Sequence, residues 1–441
     1  MNVGLPLGDG GELLCMLLFA DDILIMAESD QQLQMLMDVV DDYCVKWRFE
    51  LSSTKTRVVV FGHSGPMVQP QPGEEDEAVV ETDEYKYLGL IFQRELTWAK
   101  AKDKMMRNAR RASVWSWNML MSSGNPPVKL LQETYFGLVR PYLEYGAEVW
   151  GDFEWKEAEA LQRQVGKRIL RVSKNTANEV VMGELGWLSL KGRRMMLRLN
   201  FWAKILQMPE SRWVRRVYNE SRRRLLTHPR RKNWCSYTRD CLERLGMLRL
   251  WGSEVLPGEW NIILRERIRQ LEEREWLESM ENKPKLVTYR RWKTKLEREP
   301  YLDLKDASAR RALTELRSGT NKLRVDTGRW ELYPSELSGP EATGRRLHRE
   351  ERLCRQCFRD VEDERHFLLE CPEYKEVRKQ FLDELEKDSP ECVIDLKRVI
   401  RTDDDLDRQH EAISWAMNNE YRLVAQFIKK CNKIRRDLNR N

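Results

Sequence analysis

Two adjacent carboxylates, Asp21 and Asp22, stand between two strongly apolar runs, LLCMLLFA and ILIMA. A carboxylate set among buried apolar residues is costly unless something pairs with it. A divalent cation is a natural partner. Mg²⁺ takes one or two protein carboxylates and completes its shell with waters and phosphate oxygens, the arrangement used for phosphoryl transfer with two metals ~3.5–4 Å apart. The plainer alternative is that both are turn residues, since Asp favours turns through its own hydrogen bonding. A second set lies far along the chain, where Cys354, Cys357, His366 and Cys371 are spaced C-x2-C-x8-H-x4-C. Three thiolates and an imidazole at this spacing suit a tetrahedral, structural Zn²⁺, and four unrelated residues are the competing account. Cys235 and Cys241 are more widely spaced and read as free thiols.

A third feature is charge. Residues 191–250 carry 17 Lys/Arg against 4 Asp/Glu, whereas residues 1–100 carry 7 against 18. A block of this kind is the footprint of a polyanion partner, or else a solvated helical face. Arginines over 193–249 are interleaved with Phe201, Trp202, Trp213, Tyr218, Trp234 and Tyr237. Guanidinium groups pair with phosphates and aromatic faces stack on unpaired bases, so the mixture suits RNA or a primer-template end, with Arg222, Arg223, Arg224, Arg230, Arg231 and Lys232 the contact candidates. Aromatic residues at helical spacing also fill cores, which would leave the arginines as the solvated side.

These groups need elements to position them. Residues 13–27 read as two strands joined by a tight turn at Ala20 to Asp22. Ser29 with Gln32 three residues on is a capping-box signature, and Leu33, Leu36, Met37, Val40, Cys44 and Trp47 follow at helical spacing. Residues 56–61 and 84–92 read as further strands, separated by a Gly/Pro/Glu-rich loop over 62–77. The order describes a small α+β layer. Beyond Thr97 the pattern turns helical, a loop is expected over 331–344 ahead of the cysteine cluster, and residues 387–441 read as a charged helical tail.

At 441 residues with 41% hydrophobic and 34% charged content, the chain is long enough for several domains, and its 16 Trp argue against disorder. The longest apolar run, residues 13–20, is less than half of the ~20 needed to cross a bilayer, so no membrane partner is expected. The first twelve residues lack a basic n-region, so no secretion signal is visible, and the nine Cys suit a reducing compartment, which implies an intracellular protein of nucleus or cytoplasm.

In order, LLFADDILIMAES, DYCVKWRFEL, STKTRVVVFG and YKYLG resemble the second half of the palm of a reverse transcriptase from a LINE-type non-LTR retrotransposon. LLQETYFGLVRPYLEYGAEVWG, LQRQVGKRILRV and GELGWLSL resemble the region after the palm, and CRQCFRDVEDERHFLLECPEY resembles the Cys/His motif beyond it. The resemblance implies an RNA-directed DNA polymerase that binds an RNA template and a DNA primer, in which a primer 3′-hydroxyl attacks a nucleotide α-phosphate. It makes Asp21 the stronger Mg²⁺ ligand and Asp22 its neighbour, sets Lys55 near the leaving pyrophosphate, and makes Tyr87, Leu88 and Gly89 the turn that grips the primer. It implies an α+β partial palm over 1–96, a helical thumb-like region over 97–190, a basic helical linker over 191–330, a zinc-binding segment over 331–386 and the charged helical tail over 387–441.

In this family another metal-binding Asp and the nucleotide-binding motif come from elements before the FADD hairpin. Eighteen residues precede Phe19, and Asp9, the one Asp among them, sits in a Gly-rich turn. The expectation is therefore a polymerase cut within its palm, inactive alone and with exposed apolar side chains on its palm strands. A non-catalytic RNA- or DNA-binding remnant, or a decayed gene product, is the alternative.

Overall fold

The computed structural model describes residues 3–7, 12–52, 54–62, 79–151, 154–230, 232–253, 255–331, 346–388 and 406–438. Asp9, Arg231, nearly all of the loop expected over 62–77 and of that over 331–344, and residues 389–405 and 439–441 of the expected tail lie outside the described residues. The named strands all come early. β1 (Leu5–Leu7) pairs antiparallel with β2 (Glu12–Leu14), β3 (Met16–Phe19) with β4 (Asp22–Ile25), and β7 (Glu84–Tyr87) with β8 (Leu90–Gln93), while β5 (Arg57–Val58) runs parallel to β6 (Val80–Glu81). Each ladder has two strands. From Ala99 on, the named elements among the described residues are helices, and none is long and apolar enough to cross a membrane.

Several strand boundaries differ from the sequence reading. The first apolar run breaks at Cys15, so that β2 and β3 belong to different hairpins. Residues 84–92 form a hairpin, not one strand, because Leu88 and Gly89 both take positive φ, 45° and 87°, and reverse the chain. Of residues 56–61 only Arg57–Val58 is strand. The helix Asp30–Trp47 follows its pattern closely. Ser29 caps it by accepting from the Gln32 amide at 3.3 Å, Gln32 Oε1 accepts from the Glu28 amide at 3.2 Å, and Leu36, Val40 and Cys44 are buried while Trp47 is exposed.

The described chain divides into two compact units, the first of Met1–Asn108, Tyr142–Glu154 and Arg193–Ile268, the second of Ala109–Pro141, Trp155–Gly192 and Arg269–Asn441. In the first, the helical core centres on Trp202, which is fully buried, donates from Nε1 to the Tyr218 hydroxyl at 3.1 Å and stacks on Trp251.

The second unit is built around charge. Glu184, at the end of the helix Asn178–Leu185, and Arg317, at the end of the helix Ala307–Arg317, are both completely buried and lie 3.1 Å apart. Tyr301 donates its hydroxyl to Glu184, Arg317 is 3.2 Å from Glu299, and Lys293 pairs with Glu299. Burial and the nearby Glu184 carboxylate hold the Tyr301 hydroxyl well above its ordinary range. The C-terminal helix Tyr421–Leu438 buries Val424, Ala425, Phe427, Ile428 and Cys431, and packs against Ala307–Arg317 and against Lys375–Asp388. The expected charged tail thus supplies core.

Removing one member of a buried ion pair leaves the other charge uncompensated, at a cost of about 3–5 kcal/mol. Arg317→Met should therefore lower unfolding stability in urea by about that amount. The exposed pair Arg311–Glu315 on the same helix is the control, and Arg311→Met should change stability by no more than about 1 kcal/mol. Equal effects at the two positions would show that burial of the Glu184 pair does not matter.

Candidate functional site

The FADD segment forms the tip of the β3–β4 hairpin. Phe19 and Asp22 are paired in register, so the connection is the two residues Ala20 and Asp21. Ala20 has φ +54°, in the left-handed region that a side chain with a Cβ avoids at a cost of ~1–2 kcal/mol. Positive φ in a two-residue connection matches the twist of the flanking strands, which is what the hairpin gains from the strain. Asp21 is in the turn, Asp22 is the first residue of β4, and both are exposed. Leu18, Phe19 and Ile23 are 68%, 60% and 41% exposed, so burial does not force a counter-ion on these carboxylates as the apolar runs suggested; the expected exposed apolar residues are present instead. Among the described residues neither carboxylate makes an ion pair or a side-chain hydrogen bond, and Lys55, exposed in the turn after Ser52, makes none to either Asp. Two adjacent, unengaged carboxylates are a donor set that Mg²⁺ accepts when waters and phosphate oxygens complete its shell.

The second hairpin is held more tightly. Tyr87 pairs with Leu90 across the Leu88–Gly89 turn, and positive φ at both central residues is the geometry of a type I′ connection. Tyr145, in the same unit, donates its hydroxyl to the Leu88 carbonyl at 2.6 Å. A Cβ on Gly89 would lie 3.2 Å from the Tyr145 ring, so the turn accepts glycine both for its φ and for this close approach. Tyr145 was not singled out from the sequence. The available signal was its place in LEYGAEVWG, a stretch that already carried the resemblance.

In the second unit Cys354, Cys357, His366 and Cys371 come together with their ligating atoms all within 4.8 Å of one another. Cys354 and Cys371 sulfurs are 4.0 Å apart, and Cys357 Sγ is 3.3 Å from His366 Nε2. Sulfur ligands at ~2.3 Å on a tetrahedral ion are separated by roughly 3.8 Å, so the spacing fits. Cys354 and Cys371 are fully buried and His366 nearly so. Hydrogen bonding from Cys371, and then from His366, holds the Cys354 thiol below its ordinary range against the opposing effect of burial, while the bond to Cys354 and burial push Cys371 up. The loop is held by the Phe358 amide to the Cys354 carbonyl and the Cys354 amide to the Asp360 carbonyl, both at 2.8 Å. Phe367 and Leu368 are buried, as expected of residues that pack the loop down, and Arg378 bonds the carbonyls of Leu368 and Cys371. Asp360, His366 and Glu370 form an overlapping group, and among the described residues Asp21 and Asp22 belong to no such set of three.

The basic stretch separates into core and surface. Arg194 and Arg198 are 1% exposed, and Arg198 bonds the Val149 carbonyl at 2.9 Å. Trp202 and Tyr218 are core, and Trp234 donates to the Glu148 carbonyl at 2.9 Å, so these rings are engaged within the fold. Trp213 is 38% exposed, with the Arg216 guanidinium over its ring. Arg223 and Arg224 both bond Glu220, Arg222 lies over the Trp251 ring and Lys232 over the Tyr237 ring; Arg223, Arg224, Arg230 and Lys232 are exposed, and Arg231 is outside the described residues.

Residues 10–92 match the family model for reverse transcriptase (RNA-dependent DNA polymerase). The RNA-directed DNA polymerase from the mobile element jockey of Drosophila funebris is 27% identical over 142 residues, which cover 30% of this chain and 15% of that protein. The chain therefore spans about 15% of the length of that relative. No solved structure matches. The resemblance to a LINE-type reverse transcriptase is borne out: residues 10–92 are similar to reverse transcriptases, and Asp21, Asp22, Lys55 and the Tyr87–Gly89 turn all fall within them.

Glu220 is 7% exposed, and hydrogen bonds from Arg223, and then Arg224, hold its carboxyl below the ordinary value of 4.5. A depressed carboxyl contributes stability that is present above the unfolded value and is lost as pH falls through the folded one. An Arg223→Ala/Arg224→Ala variant should therefore be less stable than the parent at pH 7, with the difference shrinking as pH drops below about 4.5. Urea midpoints at pH 7 and pH 3 measure this, and a pH-independent difference would detach the arginines from Glu220.

Proposed function

We propose that this chain is part of an RNA-directed DNA polymerase acting on an RNA template and a DNA primer. The observation that carries the reading is the position of Asp21 and Asp22, exposed and unengaged at a strained hairpin tip within the residues matched to reverse transcriptases. Asp21 and Asp22 would offer Mg²⁺ their carboxylate oxygens, and the ion supplies charge neutralisation at the attacking and leaving oxygens of nucleotidyl transfer. Lys55 would serve the pyrophosphate. The Tyr87–Gly89 turn would meet the primer end, its backbone held by the bond from Tyr145. Residues 1–96 read as palm, 97–190 as thumb-like, 191–330 as a basic linker, 331–386 as a zinc-binding segment and 387–441 as a tail. The four ligands Cys354, Cys357, His366 and Cys371 would hold Zn²⁺ in a closed, structural site, since three of them are buried. A second reading, nucleic-acid binding without catalysis, draws on the lack of a third metal ligand beside Asp21 and Asp22 among the described residues.

A chimaera tests the catalytic reading. The 441-residue chain alone, with Mg²⁺, nucleotides and a primed RNA template, is expected not to extend the primer. The jockey polymerase carrying residues 10–92 of this chain in place of its own matching segment should extend it, and Asp21→Ala in that chimaera should abolish extension while leaving template binding. A chimaera that folds and binds template but whose residual extension ignores Asp21→Ala would favour binding without catalysis. For the metal segment, elemental analysis after dialysis should return one zinc per chain, and Cys357→Ser/Cys371→Ser should remove it; unchanged zinc in the double variant would refute the ligand assignment.

A further inference from the structure

The four proposed zinc ligands leave one polar atom unaccounted for. His366 presents Nε2 to the cysteines, 3.3 Å from Cys357 Sγ. Its other ring nitrogen, Nδ1, is buried and has no hydrogen-bond partner, in a residue only 3% exposed. A neutral imidazole that gives Nε2 to a metal carries its proton on Nδ1, so with zinc bound this atom is a donor. A buried donor without an acceptor is destabilising, and metal-ligating histidines almost always give that proton to a carboxylate, a backbone carbonyl or water.

Two carboxylates lie near the ring, with Asp360, His366 and Glu370 each offering an atom within 4.8 Å of the others. Asp360 is already engaged, its Oδ1 accepting from the Val361 amide at 2.8 Å. Glu370 differs. Its Oε1 accepts from Arg365, while its Oε2 lies 3.9 Å from His366 Nδ1. That separation exceeds a hydrogen bond by roughly 1 Å. The Glu370 side chain is 32% exposed and can close the gap by rotating its carboxylate, a torsion with a broad energy well. His366 and Glu370 open and close one π-helical turn, His366–Glu370. The histidine backbone is fixed on both sides, its amide donating to Asp363 Oδ1 at 3.0 Å and its carbonyl accepting from the Cys371 amide at 2.8 Å. What remains to be set is the orientation of the ring.

We infer that Glu370 is the positioning residue of the metal cluster. Its carboxylate accepts the Nδ1 proton of His366, which fixes the tautomer that leaves Nε2 free for zinc, holds the ring toward the three sulfurs and raises the basicity of the donor nitrogen. Arg365 in turn holds the carboxylate. The inference rests on the zinc assignment proposed above and is independent of the polymerase reading, because Arg365, His366 and Glu370 lie outside residues 10–92. The rival arrangement is a second ion held by Asp360, His366 Nδ1 and Glu370, which would make Glu370 a ligand.

Zinc affinity of the full chain, measured by competition with a chromophoric chelator, tests this. Glu370→Ala should weaken zinc binding about 10- to 100-fold, the usual effect of removing the carboxylate behind a ligating histidine. Glu370→Gln keeps an acceptor oxygen and should fall between that variant and the parent, which a role of charge alone would not produce. Glu373→Ala removes an exposed carboxylate three residues on and should bind zinc as the parent does. NMR of isotopically labelled histidine adds a readout that a merely structural role would not move: the His366 Nδ1 proton of the zinc-loaded parent should resist exchange with solvent, and in Glu370→Ala it should exchange freely. Parent affinity in Glu370→Ala overturns the proposal, as does a second metal per chain that Glu370→Ala removes. If zinc binding is lost in Cys357→Ser/Cys371→Ser but untouched in Glu370→Ala, the ligand assignment stands and only the role of Glu370 falls. A parent that binds no zinc overturns both.

Discussion

The second unit depends on one buried charge pair. Glu184 and Arg317 are removed from water completely, and desolvating two ions is repaid only when their remaining hydrogen-bonding capacity is met. Tyr301 donates to Glu184, Arg317 donates to Asn418 at 3.4 Å, and Glu299, itself paired with Lys293, sets a second carboxylate 3.2 Å from the guanidinium, and these contacts fix where residues 293–301 must run relative to the helix Asn178–Leu185. The backbone bond from the Glu299 amide to the Glu184 carbonyl, at 3.0 Å, ties the same two stretches. The GELG sequence follows from this packing. A Cβ at Gly183 would meet the Tyr289 hydroxyl at 2.5 Å and the Trp276 ring at 2.6 Å, and at Gly186, with φ +63°, it would meet the backbone of Arg298 at 2.3 Å. Both glycines let a helix end come close enough for its carboxylate to reach Arg317.

The first unit is organised differently. Its strands form two-stranded ladders, which bury little, and their order comes from turns and from contacts distant in sequence. The two turns that bear the candidate polymerase residues both place a residue with a Cβ at positive φ, Ala20 at 54° and Leu88 at 45°. Such strain persists where surrounding structure over-determines it, and at the second turn that structure is visible as Tyr145 bonded to Leu88 and pressed against Gly89. At the first, the exposed Leu18 and Phe19 show that apolar packing does not supply it.

The C-terminal ligand cluster links local and distant order in another way. Its loop bonds are local, but Arg435 on the C-terminal helix reaches the buried Glu362 at 3.0 Å, and Arg378 holds the carbonyls of Leu368 and Cys371. Arg352 and Arg355 serve the same ordering, through the Val325 and Leu347 carbonyls and through Glu331. Arg352 and Arg378 are therefore structural.

Local signals were sufficient for much of this protein. The Ser29 cap, the buried stripe Leu36, Val40 and Cys44, the turn at FADD and the C-x2-C-x8-H-x4-C grouping are written in spacings of a few residues, because helix periodicity, hairpin turns and chelation by a short loop act over that range. The likeness to reverse transcriptases was legible for the same reason, in short ordered motifs. Tertiary structure decided what depends on partners far along the chain: that Arg194 and Arg198 are core while Arg230 is surface, that Tyr145 locks a turn 57 residues away, and that Glu184 finds Arg317 across 133 residues. A sequence reports that a residue is charged or aromatic. Whether it faces water, a phosphate or an opposite charge is set by the packing of segments whose meeting leaves no periodic trace in either one.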